Sequence, residues 1–103
     1  MNTFKDRENA FENKFAHDED MQFRAVARRN KLTGLWAAAL LGKTGDDAAA
    51  YATEVVKADF EEPGDEDVVR KLVRDLDDKA DAATIRAKLE EMLVVAKAQL
   101  AEE

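Results

Sequence analysis

Cysteine and serine are both missing from this 103-residue chain, and histidine and proline occur once each. Without cysteine there is no disulfide framework and no thiolate chemistry, so an intracellular fold that does not depend on oxidants is expected. Without serine the only aliphatic hydroxyls are Thr3, Thr33, Thr44, Thr53 and Thr84, none with a histidine beside it in sequence. Nucleophilic catalysis therefore has little to work with, and the chain is read as a non-enzyme. His17 sits among Asp18, Glu19 and Asp20 at a predicted helix start, where carboxylates favour the positive end of the helix dipole. One histidine with adjacent acids lacks the converging ligands of a metal site, and no metal is expected. As a side chain that titrates near neutrality, His17 is also a candidate pH sensor. The longest apolar run, Leu35 to Leu41, is too short to span a bilayer, and the opening Phe4-Lys5-Asp6-Arg7-Glu8 is charged where a secretory signal would be apolar. A soluble cytoplasmic protein with no direct membrane insertion is expected.

A large basic stripe is lacking as well. The formal net charge is −7, divided as +1 over residues 1–41 and −8 over residues 42–103, which argues against a general nucleic-acid surface. The acidic runs Glu61-Glu62, Asp65-Glu66-Asp67 and Asp75 to Asp81 lack the alternating ligand pattern of a helix–loop–helix calcium site. Gly42-Lys43-Thr44 ends like a phosphate-binding loop, but position 37 is Ala and a long helix precedes it, so a helix-ending glycine is the reading.

What is abundant is alanine and charge, with only four glycines, and this favours an all-helical fold. Apolar positions Met21, Ala25, Leu32, Leu35, Trp36, Ala39 and Leu40 keep a helical period until Gly42. Ala48, Tyr51, Ala52, Val55 and Val56 mark a second helix, and Glu61 to Gly64 break the chain, with Pro63 and Gly64 both opposing continuation. Val68, Val69, Leu72, Val73 and Leu76 form an amphipathic face on a third, and Ile85, Leu89, Met92, Leu93, Ala96 and Leu100 a fourth. The predicted helices lie near 19–41, 46–60, 65–77 and 82–101, joined by short turns. The expected architecture is all-α: a small four-helix bundle over residues 18–103, preceded by a flexible N-terminal arm, residues 1–17, that is helical on binding.

Phe4, Phe11 and Phe15 lie within about 40° of one another on a helical wheel, and between them every residue but Ala10 is polar or charged. That seam is too narrow to hold a free helix together in water, yet it suits a partner groove that reads apolar anchors at helical spacing. Arg7, Glu8, Glu12 and Lys14 would then set register by charge pairing. A second cluster, Arg24, Arg28 and Lys31, falls on one strip of the next helix and could hold a phosphate or an acidic partner. The competing reading of that strip is salt bridging or plain solvation.

Phe4, Asp6-Arg7-Glu8, Ala10-Phe11-Glu12 and Lys14-Phe15-Ala16, followed by Ala27-Arg28-Arg29-Asn30-Lys31-Leu32, Gly34, Trp36-Ala37-Ala38, Asp59-Phe60 and Pro63-Gly64-Asp65-Glu66-Asp67-Val68, resemble the zeta subunit of the alphaproteobacterial F-type ATP synthase. The resemblance spans the chain, with Lys5 standing where the family has an acidic residue and Thr33 where it has Leu. It implies an intrinsic inhibitor of ATP hydrolysis whose N-terminal arm inserts between catalytic subunits and reaches the rotor, leaving synthesis largely spared. It also implies a four-helix body that binds ADP or ATP as a regulatory ligand, with no cofactor required. The implied setting is the cytoplasmic side of the inner membrane, attached through the ATP synthase, with the free chain monomeric. The alternative is an adenine-nucleotide- or anion-binding regulatory module built on Arg24, Arg28 and Lys31.

Overall fold

A computed structural model describes residues 3–61 and 64–103. The described residues form five α-helices and no strand: α1 Thr3–Phe15, α2 Glu19–Leu40, α3 Gly45–Ala58, α4 Glu66–Leu76 and α5 Ala82–Ala101, with a single 3₁₀ turn at Asp77–Lys79. The protein is all-helical. The break expected at Pro63 lies outside the described residues; Gly64, just after it, has φ +84°.

Local chemistry sets the helix ends. Asp18 caps α2 by accepting from the Met21 amide at 3.1 Å, and Asp81 caps α5 by accepting from the Thr84 amide at 2.8 Å. Gly42 ends α2 in the left-handed region, φ +77°. The Lys43 amide then reaches back to the Ala38 carbonyl at 2.9 Å and the Gly42 amide to Ala39 at 3.1 Å, the Schellman closure that satisfies two terminal carbonyls.

The main core joins Ala37 and Ala38 of α2, Tyr51 and Val55 of α3, Val68, Val69, Leu72 and Leu76 of α4, and Ile85 and Leu89 of α5. Trp36 packs at its edge, half-buried, with Lys88 Nζ 5.5 Å from its ring centroid. A separate cluster lies at the other end of α5: Phe11, Ala25 and Leu100 are buried together, flanked by Phe15, Met21 and Leu93.

The buried face of α2 departs from its apolar period. It consists of Ala25, Arg29, Asn30, Thr33, Gly34, Ala37 and Ala38, whereas Leu35 and Leu40, expected inward, are exposed. Small residues win because α3 crosses very close: a Cβ on Gly34 would meet the Ala52 Cα at 2.8 Å. Val73, at the margin of the α4 stripe, is also exposed.

Candidate functional site

The N-terminal segment is helix α1, and it lies antiparallel along α5. Arg7 Nε bonds Glu102 Oε1 at 2.9 Å at one end, and Glu12 pairs with Lys97 at the other. Phe11 is fully buried, and Phe15, half-buried, sets its ring 5.2 Å from that of Phe11. Phe4, by contrast, is 47% exposed. Glu8 pairs with Lys5 at 3.2 Å, and Lys14 lies 5.2 Å from the Phe15 ring centroid. Thus the three phenylalanines of one stripe meet three environments: core, boundary and solvent. A turn at Ala16-His17 joins α1 to α2, steadied by Gln22 Nε2 donating to the Phe15 carbonyl at 3.0 Å. His17 is exposed there.

The cationic strip is brought together as its spacing predicts, but two of its members are engaged. Arg24 pairs with Asp20 at 3.2 Å and Arg28 with Glu103 at 2.7 Å, while Lys31 is exposed. The three line a groove of about 410 Å³ together with Phe23, Leu100 and Glu103. Sequence reasoning passed over Phe23. Its ring stacks on that of Phe60 at 5.7 Å, and both are more than half exposed, an aromatic pair joining α2 to the end of α3. A second, more apolar groove of about 350 Å³ runs past this pair, lined by Gln22, Val26, Asn30, Val56 and Asp59 as well.

Arg29, the arginine beside the strip, is the one that points inward. It is 4% exposed and reaches Asp65 with two N–H groups, while its Nε and Nη2 donate to Asn30 Oδ1 at 3.1 and 2.8 Å. Asn30 Nδ2 in turn donates to Asp59 Oδ2 at 2.9 Å. Burial pushes the Asp59 carboxyl above the ordinary range, outweighing the Asn30 bond and the Arg29 charge. Its other oxygen, Oδ1, is buried without a hydrogen-bond partner. In sequence Arg29-Asn30 is indistinguishable from the polar neighbours Arg28 and Lys31, so the network had no local signal. The network is structural: it clamps α2 to Asp59 and Asp65, on either side of the break between α3 and α4.

The sequence model of the family described as ATPase inhibitor subunit zeta matches residues 1–99. The chain belongs to this family. A solved solution NMR structure is similar as well, with 65% identity and a TM-score of 0.75, covering 80% of this chain and 96% of that one. No curated protein matches the chain. Membership indicates a regulatory subunit associated with an ATP synthase rather than a catalyst. Among the described residues no helix is long and apolar enough to cross a membrane.

Proposed function

We infer that this chain restrains ATP hydrolysis by an F-type ATP synthase, with residues 1–17 as the arm that enters between catalytic subunits, reaches the rotor and blocks rotation in the hydrolytic direction. Family membership supplies the target. The observation that carries the arm's role is the separation of the Phe11–Ala25–Leu100 cluster from the main core. Undocking α1 uncovers Phe11, worth about 1.5–3 kcal/mol, part of Phe15, and the faces of Ala25 and Leu100 against which they pack. A groove on the enzyme that accepts Phe11 and Phe15 offsets that cost, and the main core is left closed. Phe4, Phe11 and Phe15 are then the anchors, with Arg7, Glu8, Glu12 and Lys14 setting register.

The test is inhibition of the cognate ATPase by the full chain, by residues 18–103 and by Phe4→Ala. Phe4 is exposed on α1, so its removal leaves the fold alone. The truncation is expected to abolish inhibition and Phe4→Ala to weaken it severalfold; full inhibition by residues 18–103 contradicts the reading.

A specific observation favours a second reading. The groove lined by Phe23, Arg24, Arg28 and Lys31 pairs an exposed ring with three cations, which suits an adenine base and its phosphates and makes ADP or ATP a regulatory ligand. NMR titration with ADP is expected to shift amides of these residues; shifts spread evenly over the chain, or none, contradict it.

A further inference from the structure

The body holds the arm by the very side chains that the arm needs for its target. Arg7 is bound by Glu102, Glu12 by Lys97, and Phe11 is enclosed against Ala25 and Leu100 with Lys97 Nζ 5.9 Å from its ring centroid. One side chain cannot fill two sockets. Docking on α5 and docking on the enzyme therefore exclude each other.

We propose that α1 is a latched arm and that the socket on α2 and α5 is a surrogate of its binding site on the enzyme. The target then presents the same chemistry: an apolar pocket that encloses Phe11 and borders Phe15, a cation facing Glu12 and a carboxylate facing Arg7. This deepens the arm model and rests on it. The structure is suited to such an exchange. α2 keeps its own N-cap at Asp18 when α1 leaves, because that bond runs to Met21 and not to the arm. Phe4 is exposed while the latch is shut, so first contact does not require opening. Since only the undocked fraction binds, apparent affinity for the enzyme falls in proportion to that fraction.

The test alters only the body's half of the latch in the full chain, Lys97→Ala with Glu102→Gln. Amide hydrogen exchange along α1 and the concentration giving half-maximal inhibition of ATP hydrolysis are measured together. Two partly exposed ion pairs of this kind shift the docking equilibrium by about tenfold. The expected result is α1 exchange faster by that factor, unchanged exchange at Leu72, Ile85 and Leu89 in the main core, and inhibition at a severalfold lower concentration. Unchanged exchange in α1 overturns the latch. Faster exchange with equal or weaker inhibition overturns the surrogate relationship. If inhibition also survives removal of residues 1–17, the arm model itself fails, and the exchange data still say whether α1 is latched.

Discussion

Arg29 and Asp65, 36 residues apart in sequence, are joined by two parallel N–H···O bonds of 2.9 and 3.2 Å. The guanidinium is buried while the carboxylate is about half exposed, so the pair fixes the α3–α4 connection against α2 from the inside. Lysine has a single point of charge and cannot satisfy Asp65 and Asn30 together. Arg29→Lys is expected to lower stability by about 2 kcal/mol, and Arg29→Ala by somewhat more, short of the full cost of stranding a buried charge because Asp65 reaches water. Thermal unfolding checks this, at about 5 °C per kcal/mol for a chain of this size.

Gly34 offers a test of the close α2–α3 crossing. In an ordinary helix Gly→Ala stabilises by up to about 1 kcal/mol. Here the added Cβ would sit 2.8 Å from the Ala52 Cα, a backbone atom, and 3.2 Å from Val55 Cβ. The helices must separate, and the contacts of Ala37 and Val55 loosen with them. Gly34→Ala is expected to destabilise by about 1–3 kcal/mol, the usual range for overpacking; a rise in midpoint would show that the crossing yields without cost.

Two aspartates give opposite pH signatures. Asp59 is raised above its ordinary value by burial, so its contribution to stability is present below the unfolded carboxylate range and is lost as pH rises through the folded value. Asp59→Asn should therefore gain on the parent as pH rises from about 4 to 7. Burial also acts to raise Asp75, but hydrogen bonds from Lys71 and Tyr51 at 2.9 and 2.8 Å outweigh it and leave the carboxyl below its ordinary value. Its contribution is present above the unfolded range and is lost as pH falls through the folded value, so Asp75→Asn should lose most at neutral pH. Unfolding midpoints of both variants across that range check the signs.

The same contact touches Tyr51, whose hydroxyl is pushed up by burial and by its bond to Asp75, and so stays protonated at working pH. Tyr51→Phe removes that donor and is expected to cost about 1 kcal/mol, with Asp75 titrating closer to its ordinary range. An unchanged Asp75 titration followed by NMR would separate the two groups.

Much of the fold was legible before any coordinates. The helical periods, the acidic start of α2 at Asp18 and the stop at Gly42 all follow from local chemistry, which neighbouring residues carry. The buried face of α2 was not, since a close crossing selects Gly34 and Ala38 over large apolar side chains, and Arg29 and Asn30 look solvated until Asp59 and Asp65 are brought beneath them. For the site, the arm's stripe and the cationic strip could be read from spacing. What the stripe packs against could not: Glu12 and Lys97 lie 85 residues apart, and a seam of phenylalanines has the same spacing whether its groove belongs to another protein or to α5.

The most direct test of the inhibitory arm compares the two directions of one enzyme. Membranes bearing the cognate ATP synthase are supplied with the full chain or with residues 18–103, and ATP hydrolysis and proton-driven ATP synthesis are measured in parallel. The account predicts that the full chain suppresses hydrolysis at least tenfold more than synthesis, a difference of about 1.4 kcal/mol or more, and that residues 18–103 suppress neither. Equal suppression of hydrolysis by the full and shortened chains would contradict it.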